Sequence, residues 1–189
     1  RQDCHRLPQR PLRPDLMRRI TDVRLPAPLG SDRERRHWVD LNDDGHIVAI
    51  QPQVEAEQRH GSNWHGDWLS PRGIDLQING GLGLAFPDLV DQDLPRLIAL
   101  LELLWQDGVE AIAPTLVTCG IGPLRRALEV LRQARRQHQP GRCRLLGAHL
   151  EGPFLAEARR GAHPMEHLAA PSLEALDWRI GGFESEIAL

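Results

Sequence analysis

Between Gly73 and Glu151 the sequence reads as strand, helix, strand, helix, strand, and this alternation constrains the fold more than any other feature. Gly73 to Asn79 forms a first strand. Asp91 to Gln106 then sets Leu94, Leu97, Ile98, Leu101, Leu104 and Trp105 on one helical face, with Gly108 as the stop. Val109 to Thr115 is a second strand, which Pro114 is expected to end. Pro123 opens a second helix whose Leu124, Leu128 and Leu131 recur at helical spacing until Gln139-Pro140-Gly141 closes it. Arg144 to Glu151 gives a third strand. Such α/β grammar specifies a parallel sheet, either open and doubly wound or closed as a barrel. A complete eight-stranded barrel takes about 250 residues, so a barrel reading leaves room here for three units and at most the start of a fourth.

Upstream the pattern is shorter and β-like. Ile20, Val23 and Leu25 form one run, and His37 to Leu41 with His46 to Ile50 form a pair around Asn42-Asp43-Asp44-Gly45. That turn, with Gly available for positive φ, predicts a β-hairpin. A polar stretch from Gln51 to Gly66 closes the region, so the expected organisation is a small β domain over 17–70 and an α/β portion over 71–189. Residues 1–16 carry no apolar periodicity, and Met17 is expected to be the natural start, a disordered native tail being the alternative.

Composition narrows the partners. With 23 basic against 26 acidic side chains the formal charge is -3, too weak a field to gather nucleic acid or acidic lipid, which points to a small-molecule partner. Cys4, Cys119 and Cys143 are too scattered for a disulfide framework or a Cys-x-x-Cys site, consistent with a reducing cytoplasm. No apolar run approaches the roughly 20 residues that cross a bilayer.

Three stretches fall at the C-terminal ends of the proposed strands, where barrels and open parallel sheets both place their sites. In Asp75-Leu76-Gln77-Ile78-Asn79-Gly80-Gly81, strand alternation points Gln77 and Asn79 to the same side, and the glycines let backbone approach a ligand. Taken alone, two amides that hydrogen-bond loops at a strand end are the simpler reading. In Ala113 to Cys119, Thr115 and Thr118 offer hydroxyls near the rim, although threonines commonly serve turns and caps. The sharpest stretch is Gly147-Ala148-His149-Leu150-Glu151-Gly152-Pro153-Phe154, followed by Gly161-Ala162-His163. A carboxylate at a strand end, held by a Gly-Pro turn and faced by a loop histidine, suits a divalent metal and a polarising group. A buried ion pair is the competing reading. The other histidines, His5, His37, His46, His60, His65, His138 and His167, are expected to be exposed, and Arg125, Arg126, Arg132, Arg135 and Arg136 to form a solvated helix face.

Ala148 to Phe154 with Gly161-Ala162-His163 resembles the signature of the N-acetylglucosamine-6-phosphate deacetylases, members of the amidohydrolase superfamily. Pro71 to Gly81 resembles the same family's first-strand motif, apart from Arg72, and Ala113 to Thr118 its second-strand motif. The resemblance implies the first part of a metal-dependent (β/α)8 TIM barrel preceded by a small β-sandwich-like domain. It implies hydrolysis of N-acetylglucosamine 6-phosphate to glucosamine 6-phosphate and acetate in the cytoplasm by a homodimer. It further implies that Glu151 is a metal ligand, that Ala162 and His163 contact substrate, with His163 donating to the acetyl carbonyl, and that Gln77 and Asn79 line the pocket. Many amidohydrolases carry His-x-His where Gln77 and Asn79 stand, so one ion is implied, zinc first, with iron or another divalent ion as alternatives. The general acid/base Asp and two histidine ligands are implied to lie beyond Leu189, leaving this chain inactive alone. An amidohydrolase acting on a cyclic amide and a non-catalytic interaction module are the competing readings, the first disfavoured by the missing His-x-His.

Overall fold

The structure, a computed structural model, describes residues 18–26, 32, 34–54 and 60–189. The expected leader, Met17 and His5 lie outside the described residues. The chain divides into two compact units, Arg1–Pro71 and Arg72–Leu189. No helix among the described residues is long and apolar enough to cross a membrane.

In the first unit β1 (Arg18–Arg24), β2 (Arg36–Leu41), β3 (Ile47–Pro52) and β4 (Ser62–Asn63) form one sheet in the order β3-β2-β1-β4. The hairpin forms where the turn chemistry requires it: Gly45 takes φ +82, and the Asn42 side chain accepts from the His46 N–H at 2.8 Å. Ile20, Val23, Val39 and Leu41 make the core. Arg19 and Asp40 stand opposite each other in the β1/β2 register and pair through both carboxylate oxygens, Nη2 lying 2.7 Å from Oδ2. The polar stretch after Gln51 is not only a closing loop, because β4 within it adds to β1 in parallel. His37 is half-buried rather than exposed, with Nδ1 inside the fold.

The second unit is mixed α/β, built on β5 (Gly73–Ile78), β8 (Val109–Val117), β9 (Arg144–Leu145) and β10 (His149–Glu151), with α1 (Leu94–Gln106), α2 (Ile121–Arg136) and α3 (Leu173–Ile180). Two short strands, β6 (Gly80–Gly81) and β7 (Leu84–Ala85), make a hairpin after β5. The strands β5, β8 and then β9 and β10 pair in parallel in chain order, β8 in the centre. Residues 111–116 of β8 are all buried, as a strand covered on both faces must be. Leu97, Leu100 and Leu101 of α1 and Leu124, Ala127, Leu128 and Leu131 of α2 supply the covering core.

Three expectations need correction. Pro114 does not end its strand, which runs on to Val117; pairing with β5 is irregular between Asp75 and Ile78, so the ladder there tolerates a residue without an N–H. The third strand is not continuous. It breaks at Leu146 and Gly147, where Gly147 takes φ +132 and an added Cβ would stand 2.9 Å from the Ala188 nitrogen. Beyond the break, β10 accepts a new neighbour: Ala188 N–H donates to Ala148 O at 2.8 Å, and Leu150 N–H to Leu189 O at 3.0 Å.

Nor is the arginine face of α2 solvated throughout. Arg125 donates to Arg179 O and Gly181 O, Arg132 to Gly182 O, and Arg135 to Ser185 O. The Arg125 and Arg132 guanidiniums also lie over the Phe183 ring, 5.0 and 4.1 Å from its centroid. Arg126 and Arg136 remain exposed. These contacts hold 179–186 against α2 and so deliver 187–189 to the free edge of β10.

Candidate functional site

Parallel pairing sets the site's floor. Register places His149 beside Thr115 and Glu151 beside Val117, so β8 and β10 end at the same level with Thr118 just above. Glu151 projects from the tip of β10, its side chain about one-third exposed at 37%. One carboxylate oxygen, Oε1, lies 3.4 Å from His163 Nε2, and the other, Oε2, lies 3.5 Å from the Gln77 amide nitrogen. Three of the predicted residues, from β5, β10 and the following loop, therefore converge on one point.

The other two predicted residues meet elsewhere on the same rim. Asn79 and Ala162 are exposed and line a cleft of about 530 Å³ with Asp88, Thr118, Gly120 and His167. Thr118 borders both places. Its hydroxyl lies 2.8 Å from His163 Nδ1 and donates to the Glu151 carbonyl oxygen at 3.2 Å. Thr115, fully buried, contacts His149 Nδ1 at 3.2 Å, so the His149 ring is engaged with β8 one pair below the Glu151 level.

The loop that carries His163 is tied down at several points. Arg160 donates to the His163 carbonyl at 2.6 Å, and Arg179 reaches from α3 to Cys119 O and His167 O at 3.3 and 3.2 Å. Burial pushes the Cys119 thiol up from its ordinary range, against the pull of the Arg179 charge, and nearby Asp88 raises it further. A poorly ionised thiol is a poor nucleophile. Sequence reasoning missed the roles of Arg179 and His167, which stand outside the three motif stretches. It named Thr118 only as a rim hydroxyl.

The donor set fits one corner of a metal site. Glu151 offers a strand-end carboxylate whose polar neighbours stand no closer than 3.4 Å. Among the described residues no three His, Cys, Asp or Glu side chains converge as a metal would require. Catalytic zinc takes three protein ligands, so a metal held at Glu151 would need further donors.

No protein-family model matches the chain. Individual relatives do. The N-acetylglucosamine-6-phosphate deacetylase of Bos taurus is 39% identical over 135 residues, covering 70% of this chain and 31% of that protein. The chain is a relative of the N-acetylglucosamine-6-phosphate deacetylases. The N-acetylgalactosamine-6-phosphate deacetylase of Escherichia coli O157:H7 is 32% identical over 149 residues, 76% of this chain and 37% of its own. Among solved structures, the N-acetylglucosamine-6-phosphate deacetylase of Pasteurella multocida superposes with a TM-score of 0.60 at 25% identity, over 91% of this chain and 43% of that one. The Thermotoga maritima deacetylase gives 0.59 at 26%, over 85% and 39%. These relatives are enzymes, and the chain spans about a third of the length of the curated ones it matches.

Proposed function

We propose that the protein to which this chain belongs hydrolyses the N-acetyl group of N-acetylglucosamine 6-phosphate, giving acetate and glucosamine 6-phosphate. The observation that carries the reading is the meeting of Glu151, His163 and Gln77 at the ends of parallel strands in a relative of those deacetylases. A (β/α)8 barrel is the architecture that fits best. Its units follow one another around the sheet, and β5, β8, β10 and then 187–189 pair in that sequence order with no reversal, whereas a doubly wound sheet reverses at a switch point. On this reading 17–70 is the small β domain and 71–189 the first three barrel units.

Glu151 is the metal ligand that this chain contributes, with two histidines and the general acid/base Asp supplied by residues outside it. Zinc is the first candidate. The chemistry a divalent ion supplies when bound there is a more acidic water and a polarised amide carbonyl. His163 faces the acetyl carbonyl with Nε2 and stabilises charge as it develops on that oxygen. Gln77 steadies the Glu151 carboxylate from β5, while Asn79 and Ala162 line the cleft that receives the sugar. The chain alone is inactive on this account, because one ligand does not hold a catalytic metal. A cytoplasmic homodimer is the proposed working form.

The alternative substrate is the C4 epimer, N-acetylgalactosamine 6-phosphate, because two relatives are N-acetylgalactosamine-6-phosphate deacetylases. Acetate release from each sugar phosphate by the longer protein containing this chain tests the proposal. Hydrolysis of N-acetylglucosamine 6-phosphate at the higher kcat/KM supports it. Preference for the galactose epimer moves the assignment to that substrate, and release from neither refutes both.

A further inference from the structure

The cleft of about 530 Å³ beside the site is lined by a carboxylate that the chemistry at Glu151 does not use, that of Asp88. Its place is fixed by its neighbours. Asp88 ends the short helical turn Phe86–Asp88, whose Phe86 N–H donates to Asn79 O at 3.1 Å. Phe86 and Leu89, which flank it, are buried at 0% and 1% exposure. The turn is thereby pinned both to the end of β5 and to the core, and Asp88 stands close enough to the end of β8 for its charge to act on Cys119.

The Asp88 side chain is exposed, and neither its carboxylate nor the Asn79 amide in the same cleft bonds any described residue. A carboxylate accepts hydrogen bonds and donates none, so its complement is a hydroxyl or another donor. A phosphate beside it would bring like charges together, which is unfavourable. An amino-sugar phosphate offers the chain three kinds of group: the acetamido group, which the proposed function sets at Glu151 and His163, the ring hydroxyls, and the phosphate. Of the last two only the hydroxyls suit Asp88. The anomeric hydroxyl interconverts between two configurations and is a poor mark for specificity, which leaves those on C3 and C4.

We propose that Asp88 is a specificity-determining residue: it accepts a hydrogen bond from the C3 or C4 hydroxyl of the amino sugar, and its charge turns the 6-phosphate away from this cleft. The role rests on the deacetylase reading of the same site and adds to it the direction in which the sugar lies. The acetamido group is at Glu151, a hydroxyl-bearing edge of the ring lies past Thr118 in the cleft with Asp88 and Asn79, and the phosphate points out of it.

Acetate release by the longer protein tests this, measured as kcat/KM on the preferred amino-sugar 6-phosphate, on its 3-deoxy and 4-deoxy analogues, and on the sugar without phosphate. Wild type is expected to use one deoxy analogue at least about tenfold less well, the usual loss when a charged acceptor is left without its donor. Asp88→Ala should lose a similar factor on the parent sugar and show no further loss on that analogue, because one contact cannot be removed twice. Asp88→Asn, which removes the charge and keeps an acceptor oxygen, should leave the ratio between phosphorylated and unphosphorylated sugar unchanged. A wild type indifferent to both deoxy analogues overturns the proposal, as do parent-to-deoxy ratios in Asp88→Ala that match wild type. So does an Asp88→Asn variant that gains on the phosphorylated sugar alone, which would put the phosphate beside Asp88. If Asp88→Ala does not fold, the wild-type ratios and the Asn variant still decide. A wild type that releases acetate from no amino-sugar phosphate refutes the deacetylase reading as well, whereas an active wild type with unchanged ratios in the variant refutes the role of Asp88 alone.

Discussion

A β-carbon on Gly152 would lie 2.0 Å from Thr118 Oγ1, closer than any two non-bonded heavy atoms approach, on a backbone held at φ +97. Both facts bar a side chain at the residue that follows Glu151. Gly152→Ala should therefore destabilise the second unit by about 1–3 kcal/mol, the usual cost of a strained backbone position, before any displacement of Thr118 is counted. Urea unfolding checks this, and an unchanged midpoint would show that the turn relaxes freely.

Arg132 stabilises by several contacts at once: the Gly182 carbonyl, Glu186 at 3.4 Å, and the Phe183 ring. Arg132→Ala is expected to cost about 1–3 kcal/mol, since hydrogen bonds from charged donors are the stronger kind. Arg126→Ala, exposed on the same helix, should stay within about 0.5 kcal/mol of wild type. Equal effects from the two would contradict the idea that the arginines clamp 179–186.

Burial pushes the fully enclosed Cys143 thiol up to about 11 from an ordinary 9.0, with Arg144 opposing the shift. Below pH 9.0 the thiol is protonated in folded and unfolded chains alike, and stability is unaffected. Between 9.0 and about 11 the unfolded chain loses this proton while the folded chain keeps it, so stability falls as pH rises. Urea midpoints measured across that window should decline for wild type and less steeply for Cys143→Ala, which keeps the raised Cys119 thiol.

Much of this was legible in the sequence, for physical reasons that also mark what was not. Helix and strand periodicities were plain because α1 and α2 bury one face and β8 buries both. The Asn42 to Gly45 turn needed only local chemistry. The break at Gly147 was hidden because it serves a partner 40 residues away, the segment 187–189 that bonds to residues 148 and 150. The arginine clamp was hidden likewise, since a run of charge looks solvated until the segment it grips is folded back on it. At the site, Glu151, His163 and Gln77 do meet, while Asn79 and Ala162 border a neighbouring cleft. Thr118 was legible only as a rim hydroxyl, because its partners, the Glu151 carbonyl and His163, come from a separate strand and loop and nothing in its own sequence surroundings distinguishes it from a turn threonine.

In the longer protein His163→Gln should lower kcat by about 10²–10³, the loss of roughly 2.7–4 kcal/mol that removal of a donor to a developing oxyanion brings. Metal content should not change. Metal loss in this variant would instead make His163 a ligand and displace it from its proposed role.

Glu151 carries the account, because the proposed chemistry enters this chain through its carboxylate. The decisive measurement is metal content and acetate release from N-acetylglucosamine 6-phosphate by the longer protein and its Glu151→Gln variant, prepared side by side. The account predicts that the variant loses its metal and that turnover falls by more than the ~10–100-fold that loss of an outer-shell partner costs. A variant that keeps both the wild-type metal content and the wild-type rate would contradict it.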